Sequence, residues 1–230
     1  MTFHSRMNMI IVIFVNLCPW VYESSNGLFC TLMLDPPDRG FFIYNPSTRE
    51  YKKIPYIESE KESTLHGFGY AESIDDYKFV KVFIKRNIIQ IFSLRNNSWK
   101  TIKCDFPFNV INRHTYGIPL DGAASWEYGI PFNGSIHWVV DVVLNGPRRH
   151  RYHDYYYPYQ HHYDYNHRSK QIVAFDLVEE KFKITLPLLD QVFQKVKRLI
   201  VLEDRLCIIN KEDQFWIMEE YGGKESWTRI

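Results

Sequence analysis

The chain has 230 residues, of which 45% are hydrophobic and 24% are charged, and its formal net charge at pH 7 is +1. This composition excludes wholesale disorder and predicts a packed core, in one large domain or two small ones. A net charge so close to zero gives no global attraction to nucleic acid or to anionic membranes, so neither is expected as a partner.

The kinds of apolar residue indicate the fold class. Ile, Val, Phe, Tyr and Trp together number 76, whereas Ala and Leu number 19. β-branched and aromatic side chains suit the pleated surface of a sheet, and Ala and Leu favour helices. The composition therefore predicts an all-β protein. The four cysteines stand singly, without a CxxC pair, which argues against a zinc ribbon or a disulfide framework and predicts a cytoplasmic or nuclear location.

The first 25 residues are ambiguous. Met9–Val15 reads MIIVIFV, which is far shorter than the ~20 residues that a membrane-spanning helix needs. A buried strand, or a segment without a role in the fold, is the preferred interpretation. A secretory signal is the alternative, although Cys18-Pro19-Trp20 makes a poor cleavage site.

A repeated unit follows. Residues 41–55 read FFIYNPSTREYKKIP, which is an apolar strand, a polar turn, and an aromatic residue followed by a basic pair. The same plan recurs in residues 89–102 (IQIFSLRNNSWKTI), 172–186 (IVAFDLVEEKFKITL) and 215–230 (FWIMEEYGGKESWTRI). Each segment predicts a hairpin whose aromatic residue packs back across the preceding strand. At the turn entries, Asn45, Ser93 and Asp176 can accept hydrogen bonds from backbone amides.

The spacing of the repeat indicates a propeller. The closing aromatic residues are Tyr51, Trp99, Phe182 and Trp227, at separations of 48, 83 and 45 residues. Two of these match the length of a four-stranded blade, and the third indicates a blade with an insertion. Hairpin signals at residues 26–27 (NG), 133–134 (NG) and 203–204 (ED) supply the preceding turns. A generic antiparallel sandwich is the alternative, but recurrence of the whole unit favours an antiparallel, β-propeller-like fold.

The insertion occupies residues 145–169 and contains RRHRYHDYYYPYQHHYDYNHR, with five histidines, seven tyrosines and four arginines. Histidine suits Zn, Cu or Ni, and Arg with Tyr suits single-stranded nucleic acid. No Cys or Glu at a standard spacing supports a metal site, so a solvated loop is preferred. Because Tyr and Arg are enriched at binding hot spots, the loop is predicted to contact a partner. The predicted partner-binding residues are Arg148, Arg149, Arg151, Tyr155, Tyr156, Tyr157, His161, His162 and Tyr163.

Residues 188–200 are ambiguous in a different way. Their apolar residues recur at helical spacing, which allows a short helix over residues 189–197. A connector followed by a strand that starts near Arg198 is the other interpretation.

Seven segments in order resemble the F-box-associated interaction domain of plant F-box proteins, including the S-locus F-box type. They are NGLFC (26–30), YNPSTREYKKIP (44–55), GFGYAESIDDYKFVKVF (67–83), IFSLRNNSWKTI (91–102), FNGSIHWVV (132–140), IVAFDLVEEKFKITLPL (172–188) and FWIMEEYGGKESWTRI (215–230). The resemblance covers residues 26–230 and implies a propeller of kelch-type blades that selects a target protein for an SCF-type ubiquitin ligase.

Residues 1–25 depart from the family pattern, because they are too few for an F-box and lack its helical pattern. The resemblance therefore implies an incomplete propeller domain, in a chain that is a fragment or a truncated product. Binding to a Skp-type adaptor and a cullin is expected only if the full-length product carries an F-box.

The motifs of common enzymes are not found. Gly67-Phe68-Gly69 lacks the third glycine of a dinucleotide-binding loop, and neither HExxH nor GxSxG occurs. Asp75 and Asp76 are interpreted as a solvated turn that enters a strand, and His137 as a histidine on a sheet face.

The sequence thus predicts a protein-interaction module that is not an enzyme, binds no metal and needs no cofactor. Two alternatives stay open. One is a truncated product that binds the target without a ligase role. The other is a secreted β-propeller that binds carbohydrate or acts as an oxidase, with copper held by the histidine-rich loop.

Overall fold

A computed structural model of the chain describes residues 21–33, 40–55, 65–104, 106, 127–143, 168–186, 196–223 and 226–230. These residues form sixteen strands, which follow one another as four meanders of four strands each. The first meander contains β1 (Val21–Ser25), β2 (Leu28–Met33), β3 (Gly40–Asn45) and β4 (Glu50–Lys53). The second contains β5 (Leu65–Ala71), β6 (Asp76–Phe83), β7 (Ile88–Ser93) and β8 (Ser98–Lys103). The third contains β9 (Glu127–Phe132), β10 (Ser135–Val143), β11 (Arg168–Asp176) and β12 (Lys181–Leu186). The fourth contains β13 (Val196–Leu202), β14 (Arg205–Asn210), β15 (Phe215–Met218) and β16 (Trp227–Arg229).

The helical part of the described chain consists of two 3-10 helices of three residues, Glu72–Ile74 and Ile84–Arg86. Among the described residues, no helix is long enough and apolar enough to cross a membrane. The prediction of a nearly all-β protein is confirmed.

The sheets follow the meanders. The first and fourth meanders are separate four-stranded sheets, and the second and third join into one sheet of eight strands. The junction is a parallel pairing of β5 with β9, the first strands of the two meanders. The hairpins on either side of it are antiparallel, as predicted.

The described strands fall into two compact units. One contains β1–β9, with β10 up to Trp138, β11 from Ala174 and β12 up to Lys183. The other contains the remaining parts of β10–β12 and the whole fourth meander. The first strand begins at Val21, so it includes five of the residues 1–25.

The four repeated hairpins predicted from the sequence are all present, as β3–β4, β7–β8, β11–β12 and β15–β16. Tyr44 lies opposite Tyr51, and Phe92 lies opposite Trp99. In the last copy Trp227 lies opposite Met218 and is buried. The aromatic residue after each turn therefore packs across the preceding strand, as predicted.

The turn entries also work as predicted. Asn45 Oδ1 accepts hydrogen bonds from the amides of Ser47 and Thr48, at 3.0 and 3.3 Å. Ser93 Oγ accepts one from the amide of Asn96 at 3.0 Å. Asp176 Oδ1 accepts two, from Val178 at 2.8 Å and Glu179 at 2.7 Å. These bonds satisfy backbone amides that the turn leaves without a strand partner.

The ambiguous segment before the fourth meander is partly resolved. Val196 and Lys197, where the helical interpretation ended, belong to strand β13. Residues 187–195 lie outside the described residues.

Glycines allow the third meander to pack closely on the second. Gly67 of β5 lies opposite Gly129 of β9, and the side chains of Ile136 and Trp138 cover both. A Cβ atom on Gly67 would lie 2.4 Å from Ile136 Cγ2 of the third meander, and one on Gly129 would lie 2.2 Å from the same atom. Trp138 Nε1 also donates a 2.7 Å hydrogen bond to the His66 carbonyl. The glycine at position 67 of the Gly67-Phe68-Gly69 segment therefore leaves the space in which side chains of the third meander pack on the second.

A second contact region joins the first meander to the second. Its buried residues are Cys30, Leu32, Phe41, Ile43, Ile54, Phe68, Phe79 and Phe92. Lys81 is fully buried beside this cluster, with its Nζ 5.2 Å from the Trp99 ring and 5.4 Å from the Phe41 ring. Cation–π attraction of this kind lowers the cost of burying the ammonium group.

Candidate functional site

Four hairpin turns of the eight-stranded sheet lie together at one of its ends. They are Glu72–Asp75, Leu94–Asn97, Asn133-Gly134 and Leu177–Glu180, and are called the turn face below. The parallel pairing of β5 with β9 brings them to the same end, because both strands leave the sheet there. The Leu177 amide donates a 3.1 Å hydrogen bond to the Gly134 carbonyl, which joins two of the turns directly.

Asp76 braces the turn between β7 and β8. Its Oδ2 accepts a 2.6 Å hydrogen bond from Ser93 Oγ, and its Oδ1 accepts a 2.9 Å bond from the Arg95 amide. Asp76 is only 5% exposed. The prediction that Asp75 and Asp76 are both solvated is therefore wrong for Asp76, because its carboxylate is needed by a turn nearly twenty residues further along the chain.

Asp75 organises the exposed part of the turn face. Its side chain accepts hydrogen bonds from Tyr70 Oη at 2.7 Å and from Arg95 Nη2 at 3.0 Å. Arg95 Nη1 donates to the Ile74 carbonyl at 2.7 Å. The hydrogen bond to Asp75 raises the pKa of Tyr70, with smaller contributions from burial and from neighbouring charges. The phenol therefore remains a donor at neutral pH, and an arginine and a tyrosine are held in fixed orientations at the surface.

An ion network links the Leu177–Glu180 turn to strands β6 and β8. Its members Lys78 and Glu180 are largely buried. Lys78 Nζ donates to the Leu177 carbonyl at 2.6 Å and to Glu180 Oε1 at 2.8 Å. Lys100 Nζ pairs with the other carboxylate oxygen of Glu180. Burial acts to raise the pKa of Glu180, but the hydrogen bonds from Lys100 and Lys78 outweigh it and hold that pKa below its ordinary value.

Glu180→Gln is expected to lower the free energy of unfolding by about 2 kcal/mol, because it leaves the buried Lys78 ammonium without its counter-charge. The measurement is urea denaturation at pH 7, followed by tryptophan fluorescence. Glu179→Gln is the matched control, since Glu179 is half exposed and pairs with Lys181 at the surface. It should change stability by less than about 0.5 kcal/mol. Equal effects of the two substitutions would show that the network contributes nothing.

Tyrosines extend the turn face toward the first meander. Tyr77 Oη donates a 2.7 Å hydrogen bond to the Asn26 carbonyl, and the Tyr70 amide donates a 3.0 Å bond to Ser25 Oγ. The rings of Tyr70 and Tyr77 lie 4.7 Å apart. The NG turn at residues 26–27 is therefore hydrogen-bonded to the turn face, which presents tyrosine and arginine side chains at strand ends.

Two buried histidines belong to the interior. His137 is fully buried on β10, with Nδ1 3.3 Å from the Ile130 carbonyl, and burial lowers its pKa to about 4. His66 packs against Phe41 and Phe79, and burial, together with the charge of Lys81, lowers its pKa to about 3. Both are neutral at pH 7. The structure places His137 inside the sheet packing, where it supports the fold.

The partner-binding residues predicted from the sequence lie outside the described residues, as does the insertion over residues 145–167. Arg168 and Ser169, the last two residues of the predicted insertion, belong to β11. Within the described residues, no group of three or more His, Cys, Asp or Glu side chains is placed to hold a metal ion.

Sequence reasoning did not identify Lys78, Lys81 and His66 and misjudged Asp76, because each is buried by residues distant in the chain. For Lys78 and Lys81, the sequence pattern did contain a signal. In DYKFVKVF the lysines interrupt an otherwise apolar strand. A lysine inside such a run indicates either an edge strand or a buried charge with a dedicated partner.

Comparison with known proteins places these features in a family. Residues 20–230 match the F-box associated beta propeller domain. The chain is 27% identical over 246 residues to the F-box protein CPR1 of Arabidopsis thaliana, an alignment that covers 91% of this chain and 51% of that protein. It is 25% identical over 243 residues to the F-box protein At3g07870 of the same plant, with 91% and 49% covered. The chain therefore spans about half the length of these relatives.

A solved structure shares only a distant likeness. The crystal structure of Citrobacter koseri AztD is aligned with 93% of this chain and 46% of that one, at 10% identity and a TM-score of 0.36. This level of likeness supports no conclusion about function. The family match, in contrast, runs through all sixteen strands. The chain belongs to the F-box associated beta propeller domain family.

Proposed function

We propose that this chain is a non-enzymatic protein-recognition module that selects a target for an SCF-type ubiquitin ligase. The observation that carries the proposal is the family match over residues 20–230, together with relatives that are named F-box proteins. In such a protein the propeller domain binds the target, and a separate F-box binds the Skp-type adaptor. The protein is proposed to act in the cytoplasm or nucleus, which the buried thiols of Cys30 and Cys207 support.

The turn face is the proposed contact surface within the described part of the chain. Arg95, Tyr70 and Tyr77 are of the types enriched at binding hot spots, and their hydrogen bonds hold them in place before a partner arrives. Side chains that are already ordered lose little conformational entropy on binding. The predicted loop over residues 145–167 is a second proposed contact.

The first experiment identifies the target. Proteins that bind the purified chain directly are sought in plant cells in which the proteasome is inhibited. A true target should also accumulate when the gene for this protein is inactivated. Residues 20–230 alone are expected not to bind a Skp-type adaptor, because the proposal assigns that contact to the F-box. A bound protein whose abundance is independent of this gene would leave a binding module without a ligase role.

The turn face is tested on that target. Arg95→Glu combined with Lys181→Glu should weaken binding at least about tenfold, because it reverses two exposed charges, one on the turn face and one at the start of β12 directly after it. Lys197→Glu on β13 is the matched control, since this lysine is similarly exposed and also pairs with an acidic residue. It should change binding less than about twofold. Calorimetric titration gives the dissociation constants.

Deletion of residues 145–167 tests the loop. The deletion should leave the thermal midpoint unchanged and weaken binding. Unchanged binding in both the deletion and the charge-reversal variant would remove both surfaces from the proposal. The alternative of a secreted propeller depends on residues 1–25 and on the histidine-rich loop. Residues 1–20 and 145–167 lie outside the described residues, and residues 21–25 form β1.

A further inference from the structure

Two exposed turns in the described chain contain an asparagine followed by a glycine. Asn26-Gly27 joins β1 to β2, and Asn133-Gly134 joins β9 to β10. The two asparagines have positive φ angles of +43° and +46°, and all four residues are exposed. Beyond the adjacent residues, no atom lies within 4 Å of the position that a Cβ atom would take on either glycine. Neither a side chain nor a residue from elsewhere in the chain therefore shields this side of the glycine backbone.

These turns leave two kinds of group without hydrogen bonds to the described part of the chain. The backbone amides of Gly27 and Gly134 donate none, and the side-chain amides of Asn26 and Asn133 make none. Two other described asparagines are held in place, because their side-chain oxygens accept backbone amides: Asn45 and Asn210. In the remaining three the following residue carries a side chain, which hinders approach to its backbone nitrogen: Asn87, Asn96 and Asn97.

An asparagine side chain that precedes a glycine can react with the backbone. The glycine nitrogen forms a bond to the asparagine Cγ, the bond from Cγ to the side-chain nitrogen breaks, and that nitrogen leaves as ammonia with the proton of the glycine amide. Water then opens the five-membered imide. Attack of water at Cγ gives aspartate, and attack at the backbone carbonyl carbon gives isoaspartate, in which the chain runs through Cβ. Water is the only other reactant.

A tyrosine hydroxyl holds one of the two turns in place. Tyr77 Oη donates a 2.7 Å hydrogen bond to the Asn26 carbonyl, which belongs to the peptide unit that would react. Closure of the five-membered ring turns this peptide unit away from its orientation in the hairpin turn, so the hydrogen bond opposes the reaction. The Asn133 carbonyl accepts no hydrogen bond from a described residue. The two sites therefore share their chemistry and differ in how firmly the reacting peptide unit is held.

We propose that Asn26 and Asn133 are sites of spontaneous deamidation, and that the hydroxyl of Tyr77 slows the reaction at Asn26. Each reaction replaces a neutral amide by a carboxylate, at Asn133 on the turn face and at Asn26 on the turn that is hydrogen-bonded to it. Isoaspartate at position 26 also lengthens a two-residue turn by one methylene, and it converts the carbonyl that Tyr77 contacts into a free carboxylate. The inference does not depend on the proposed ligase function.

The test follows the folded chain during incubation at pH 7. Peptide mapping by mass spectrometry detects the replacement of NH2 by OH, and chromatography separates the aspartyl from the isoaspartyl peptides. Asn26 and Asn133 should both react before Asn97, which precedes a serine. Asn133 should react at least about twofold faster than Asn26, which is the effect of a hydrogen bond at the low end of the usual range. In urea, where the fold is lost, the two rates should converge.

Tyr77→Phe isolates the restraint, because it removes the hydroxyl and retains the ring that packs against Tyr70. It should raise the rate at Asn26 at least about twofold and leave the rate at Asn133 unchanged. Tyr70→Phe is the matched control, since the Tyr70 hydroxyl donates to Asp75. It should change neither rate.

Three outcomes would overturn the proposal. If neither site has reacted by the time that Asn97 reacts, the two turns are not deamidation sites. If Tyr77→Phe leaves the rate at Asn26 unchanged, or raises the rates at both sites equally, the hydroxyl of Tyr77 does not protect this turn. If the difference between Asn26 and Asn133 persists in urea, it comes from the local sequence and not from the fold.

Discussion

Gly129→Ala is expected to lower the free energy of unfolding by about 3 kcal/mol, the upper end of the usual cost of overpacking a core. The added methyl would lie 2.2 Å from Ile136 Cγ2 and 2.5 Å from Trp138 Nε1. Both side chains are fully buried, so neither can move aside into solvent. Relief would require strand β10 to shift away from its neighbour β9 within the third meander. Urea denaturation followed by tryptophan fluorescence measures the loss.

Gly134→Ala is the control for the intrinsic cost of replacing a glycine. Gly134 has a φ of +68° and open space around its Cα, so its replacement should cost about 1 kcal/mol through backbone strain alone. A further variant identifies the clash. A Cβ atom on Gly67 would lie 2.4 Å from Ile136 Cγ2, so Gly67→Ala and Ile136→Ala together should cost less than the sum of the two. Strict additivity would contradict the close contact.

The protein is expected to unfold in mild acid, before pH 4. Burial lowers the pKa of His66 to about 3 and that of His137 to about 4, from an ordinary value of 6.5. A histidine with a lowered pKa is neutral in the folded state and binds a proton on unfolding. Its contribution to stability is therefore complete above pH 6.5 and is lost as the pH falls toward the folded pKa. The two residues together remove roughly 6 kcal/mol by pH 4, which is comparable to the whole stability of many domains.

The measurement is the free energy of unfolding from urea denaturation at several pH values between 7.5 and 5. Asp176 and Glu180, whose pKa values are lowered, lose their contributions only below their ordinary values of 3.8 and 4.5, outside this window. His137→Asn is the informative variant, because its amide can donate to the Ile130 carbonyl in place of Nδ1. It should reduce the slope by up to about 1.4 kcal/mol per pH unit. Equal stability at pH 7 and pH 5 would contradict the assignment of two neutral, buried histidines.

The strand pairs could be predicted because hairpins are built from neighbouring residues. Asn45, Ser93 and Asp176 satisfy turn amides two or three residues away, so their role can be inferred from a short segment. The pairing of Phe92 with Trp99 likewise follows from a turn of fixed length. The helical spacing over residues 188–200 was misleading where it reached Val196, because a strand with apolar residues on both faces can match either period.

The turn face could not be predicted in the same way. Lys78 meets Leu177 and Glu180, which are 99 and 102 residues further along the chain. Asp76 was interpreted as solvated because its immediate neighbours are polar, and only the approach of the β7–β8 turn gives its carboxylate a structural role. The predicted contact loop remains a prediction, since residues 145–167 lie outside the described part of the chain.

Local chemistry accounts for the four meanders and for the family. Turn residues and alternating apolar residues act over a few positions, and their repetition along the chain is visible without coordinates. Tertiary structure alone decided which glycines lie beneath Trp138 and which lysines are buried. The physical reason is that burial depends on residues brought together across the sheet. Phe41 and Phe215 each begin a repeated hairpin segment, yet Phe41 is 6% exposed and Phe215 is 37% exposed, because Phe41 packs against Phe79 of the second meander.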